Sequence, residues 1–131
     1  MTADLPPDIE RIRQIAEETR RALPTPFAGL AAEVRLAVED WPDDALLDEM
    51  GIDDAYDLTG LYHGVPLTER SADWPEPPST VTLFRRPMLD EWVARGDITL
   101  AALVAHVTVH EFAHHFGWSD EEIARIDRWW D

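Results

Sequence analysis

After Pro7, the positions Ile9, Ile12, Ala16, Thr19 and Leu23 recur at intervals of three and four residues, with charged residues between them. That spacing predicts an amphipathic helix ending before Pro24. Ala32–Glu39 then alternates, Val34, Leu36 and Val38 against Glu33, Arg35 and Glu39, the pattern of a half-buried strand. Pro42–Met50 predicts a short helix with Gly51 at its C-terminal cap. Asp57–Gly64 reads as a weaker strand interrupted by Gly60. Thr80–Arg86 is the stronger one, with Val81, Leu83 and Arg85 facing one way and Thr82 and Phe84 the other. Pro78 and Pro87 bracket it, and flanking prolines suit a strand at the edge of a sheet.

Met88–Arg95 is expected to be helical, and Asp97 or Thr99 to cap a longer helix that runs to Phe116. Gly117 ends that helix. Ser119 starts a last one, with Glu122 where a capping box requires it. The order predicts an α+β fold in one domain spanning residues 1–131: a small mixed sheet with an edge strand, and a central helix packed by others.

Composition narrows the chemistry. The 131 residues are 45% hydrophobic, with six tryptophans and four phenylalanines, which fits a folded core. Trp92, Trp118, Trp129 and Trp130 are expected to complete that core around the last helix. The absence of cysteine excludes disulfides, zinc ribbons and thiol catalysis, so any metal must be held by histidine, aspartate or glutamate. A formal net charge of −16 repels phosphates and anionic membranes and favours encounter with neutral or basic peptides; it also keeps a small protein soluble. No apolar run approaches the roughly 20 residues that span a bilayer. Met1–Glu10 lacks the basic and apolar regions of a signal peptide, so cytoplasmic residence is the expectation.

The informative segment is His110-Glu111-Phe112-Ala113-His114-His115-Phe116-Gly117-Trp118-Ser119-Asp120. Histidines at i and i+4 share one helix face, so both imidazoles can reach one ion at roughly 2.0–2.1 Å. Glu111 is rotated by one residue and points beside that ion, where a general base for a metal-activated water belongs. Leu103, Val107, His110 and His114 form one stripe, so the histidines continue an apolar face. A catalytic zinc takes three protein ligands. A left-handed Gly117 would turn the chain so that Asp120 returns as the third, with Glu121 and Glu122 as substitutes.

These residues resemble the His-Glu-x-x-His-x-x-Gly-x-x-Asp motif of zincins of the snapalysin type. The chain is similar to the small bacterial zincin-like metallopeptidases, and the likeness takes in Asp57–Arg70 and Thr80–Arg86. It covers roughly the C-terminal two-thirds of the chain. The resemblance implies zinc as cofactor, His110, His114 and Asp120 as ligands, Glu111 as base, and a peptide or unfolded protein as substrate. It departs from metzincins in lacking a third histidine and any methionine after the motif.

Tyr62 and His63 are candidates for stabilising an oxyanion, although Tyr62 fits equally well as a core residue beside Leu61. His106 reads as a satisfied, partly buried histidine, because a third histidine on a straight helix lies too far along to share the ion. His115 points about 100° from His114 and suits the surface or a supporting contact. Substrate is expected to pair as an added strand along Thr80–Arg86, a mode that gives affinity with little sequence selectivity. Two other readings stand beside peptide hydrolysis: an inactive zincin scaffold that binds peptide without cutting it, and hydrolysis of a non-peptide amide.

Overall fold

The computed structural model describes residues 7–71, 78–119 and 121–122. Asp120, Trp129 and Trp130 lie outside them. The fold is α+β. Helix α1 (Ile9–Arg21) starts where Asp8 accepts the Arg11 N–H; of the expected stripe it buries Ile12 and Ala16 and half-buries Ile9 and Thr19, and Ile15, outside that stripe, is buried as well. A five-residue helix, α2 (Phe27–Ala31), follows. The sequence reading contains no counterpart to it, because it is short, unbroken by polar residues and carries no capping side chain.

Strand β1 (Arg35–Glu39) begins three residues later than the alternation suggests, yet Val34 and Val38 are both buried. Helix α3 (Asp44–Met50) is capped by Asp43 and closed by Gly51 in the left-handed region, as expected. Strand β2 (Gly60–His63) starts at the glycine that was expected to interrupt it. Helix α4 (Arg85–Arg95) follows strand β3 (Thr80–Phe84) directly. Helix α5 (Leu100–His115) begins at Thr99, whose hydroxyl accepts the Ala102 N–H at 3.1 Å; of the two expected caps, Thr99 is the one used.

The sheet order is β1-β3-β2, with β1 parallel and β2 antiparallel to β3. This corrects the edge assignment: Thr80–Phe84 is the central strand, and β2 and β1 are the edges. Pro87 was the misleading signal. It lies in the first turn of α4, where a backbone N–H has no helical acceptor to lose, so it does not mark a strand border. Arg85 and Arg86 are therefore helical; Arg85 donates to the Pro7 carbonyl at 2.7 Å and to Asp40 at 3.0 Å.

Val81 and Leu83 of β3 face the main core, where they meet α1 and the fully buried Leu103, Val104 and Phe112 of α5. Phe84 faces the other way, onto Leu47 and Leu58. Each such large side chain taken fully out of water contributes about 1.5–3 kcal/mol. Sandwiched in this way, α5 is held in one position, and that position fixes everything its C-terminal turns carry.

Candidate metal centre

The last two turns of α5 carry His110, Glu111, His114 and His115. The first three are half-buried and line a cleft of about 680 Å³. The His110 and His114 ring centroids lie 5.1 Å apart with their planes at 77°. Two imidazoles on one tetrahedral zinc bring their centres to about the same 5 Å. Asp120, the expected third ligand, lies outside the described residues. Among the described residues, no group of three or more His, Asp or Glu gathers that could hold a metal ion.

The helix ends in a Schellman bend: Gly117 N–H donates to the His114 carbonyl and Trp118 N–H to that of Ala113, each at 3.0 Å. Gly117 has φ +92, and a β-carbon there would meet Thr68 Cγ2 at 2.6 Å. Beyond the bend, Ser119 N–H donates to Glu122 Oε1 at 3.1 Å and Glu122 N–H to Ser119 Oγ at 3.2 Å. This is the reciprocal capping box read from the sequence, and it engages the Glu122 carboxylate that was named as a substitute ligand. Glu121 is exposed.

Opposite the helix stands the edge strand β2, and Gly60, Leu61 and Tyr62 all line the cleft. A β-carbon on Gly60 would lie 3.3 Å from Glu111 Cγ, so Glu111 sits directly beside this strand. The segment 64–70 forms another wall. Glu69 lines the cleft there, a residue that sequence reasoning passed over because no motif marks it.

Tyr62 Oη lies 2.9 Å from His115 Nδ1, 2.9 Å from Ser79 Oγ and 3.2 Å from the Val65 carbonyl. To act on an oxyanion, as expected of it, this hydroxyl would have to leave those partners. His63, at the far end of β2, is exposed and is not among the residues lining the cleft. His106 is half-buried, as expected.

The surface alternative for His115 is overturned, since its side chain is 0% exposed. Its Nε2 lies 3.2 Å from Glu33 Oε1. Burial, reinforced by the Arg70 charge, pushes the imidazole below its usual pKa, against an opposing pull from Glu33. An imidazole with one N–H offers one ring nitrogen as donor and the other as acceptor to these two partners, and the tautomer decides which is which. Arg70 closes the circuit, reaching Ser79 Oγ at 2.9 Å, the Val65 carbonyl at 3.1 Å and Glu33 at 3.4 Å. Both the burial of His115 and the identity of its partners were hidden in the sequence. Four histidines on so dry a helix already implied that some of them are engaged.

Among the described residues, no helix is long and apolar enough to cross a membrane. A family model described as zincin-like metallopeptidase matches residues 31–130. No curated protein matches the chain.

Proposed function

The chain belongs to the zincin-like metallopeptidase family, and from that premise we propose that it is a zinc-dependent hydrolase of peptide bonds. The observation that carries the reading is convergence: His110, Glu111 and His114 open onto one cleft, and β2, an edge strand among the described residues, runs alongside. His110, His114 and Asp120 would hold the ion. A zinc ion there supplies Lewis acidity, polarising a carbonyl oxygen and acidifying water.

The protein's own groups do the remaining work. With β3 inside the sheet, an extended peptide adds to β2, whose outward N–H and C=O groups pair with its backbone. Glu111, beside Gly60 on that strand, takes a proton from the attacking water and delivers it to the leaving amine. Leu61 and Trp118, which also line the cleft, offer apolar surface to substrate side chains. The net charge of −16 favours a neutral or basic peptide or unfolded chain over nucleic acid or an anionic membrane. Residence in the cytoplasm is part of the same proposal.

The test is cleavage of an unstructured protein by the zinc-loaded wild type, abolished by chelator and reduced about 10²–10⁴-fold in Glu111→Gln with zinc retained. Full zinc occupancy with peptide bound but never cut would instead identify the inactive scaffold. Cleavage confined to small amides would point to a non-peptide substrate.

A further inference from the structure

The hydrogen-bonded circuit joins side chains from five separate segments. Glu33 precedes β1, Tyr62 sits on β2, Arg70 ends the cleft wall, Ser79 precedes β3, and His115 lies in the last turn of α5. His115 is fully buried in it, whereas the Glu33 side chain is 52% exposed. The circuit ties the five segments to one another beside the cleft.

Two of the contacts between strand β2 and α5 flank the cleft. At the Gly60 end of the strand, contact with Val107 and Glu111 sets the spacing. At the Tyr62 end the spacing is set by the bond to His115, one residue beyond His114. Close packing tolerates small slides, but a 2.9 Å hydrogen bond to a ring nitrogen loses strength steeply with distance and angle. The 64–70 wall is tied in as well. Arg70 holds the Val65 carbonyl, and a β-carbon on Gly64 would come within 2.8 Å of Ser79 Cβ.

We propose that His115 is a positioning residue for the peptide-binding edge: it fastens β2 and the 64–70 wall to the turn that carries His114, and so fixes how an extended peptide paired with β2 sits over His110 and His114. The inference rests on the peptidase reading given above. His115 touches neither the substrate nor the ion, and acts through Tyr62.

The experiment compares His115→Phe and His115→Gln with wild type, all zinc-loaded. It measures kcat and KM for an unstructured peptide, zinc affinity by chelator competition, and the thermal midpoint. In a Glu111→Gln background, the peptide Kd is measured directly. Phenylalanine fills the site but makes neither hydrogen bond, whereas glutamine keeps a donor and an acceptor. The expected result is that His115→Phe raises KM and Kd about tenfold, with smaller changes in kcat and zinc affinity, and that His115→Gln restores most of the loss. Should the phenylalanine variant not fold, Arg70→Lys carries the same test, with a rise of about threefold.

A folded variant with unchanged KM and Kd overturns the inference. So does a loss of zinc affinity as large as the loss of peptide affinity, which would make the circuit a support for the metal alone. A wild type that binds peptide without cutting it ends the hydrolase reading but leaves the Kd comparison decisive for His115. A wild type that neither cuts nor binds overturns both.

Discussion

Gly60 and Glu111 approach so closely that a β-carbon on the glycine would sit 3.3 Å from Glu111 Cγ, and 2.8 Å from Val107 Cγ1 next to it. Glycine is what lets an edge strand lie directly against the helix that bears the proposed base. Gly60→Ala is therefore expected to push strand and helix apart, at a cost of about 1–3 kcal/mol from overpacking. Peptide cleavage should fall at least tenfold, because the added strand and the base lose register. Urea denaturation and kcat/KM, with Val107→Ala as the relieving partner, check this. Wild-type rates in Gly60→Ala would refute it.

The bend after α5 makes a second demand. Gly117→Ala places a side chain at φ +92 and against Thr68 at once. We expect about 1–3 kcal/mol of destabilisation together with weaker zinc binding, since the same bend leads to Asp120. Thr68→Ala in the same chain should recover part of the stability and leave the backbone strain in place. Calorimetric titration with zinc and a thermal melt measure the two effects separately.

Zinc should stabilise the folded chain by mass action. At a free concentration about 100 times its Kd, the gain is about 2.7 kcal/mol, reversed by chelator. His114→Ala is expected to abolish the zinc-dependent shift in melting temperature, and His106→Ala to retain it. An identical shift in the wild type and His114→Ala would remove His114 from the ligand set.

Thr99→Ala serves as a contrast. Losing the cap on Ala102 N–H costs about 1 kcal/mol. His110 lies eleven positions beyond Thr99, about 16 Å along the helix, so zinc affinity should not change. A chelator competition showing a large loss would mean that α5 frays as a unit.

What the sequence revealed depended on distance along the chain. The α1 stripe, the Gly51 cap, the Thr99 cap and the Ser119–Glu122 box are all set by residues within four positions of one another, and each was readable. The motif on α5 was readable for the same reason, because helical spacing alone brings His110 and His114 onto one face. The centre of the sheet was not. Whether β3 is flanked depends on partners elsewhere in the chain, and Pro87 is equally at home after a strand and in the first turn of a helix. His115 was the hardest case. Its partners Tyr62 and Glu33 lie 53 and 82 positions away, and nothing local distinguishes a buried histidine from a surface one.

The direction of α5 has an electrical consequence. Peptide dipoles along its 16 residues add head to tail, leaving roughly half an elementary negative charge at the C-terminal end, where His114 lies in the last turn. The imidazoles thus sit in a field that already draws positive ions inward, before any carboxylate contributes. A cation entering the cleft is attracted by the backbone as well as by the side chains that would hold it.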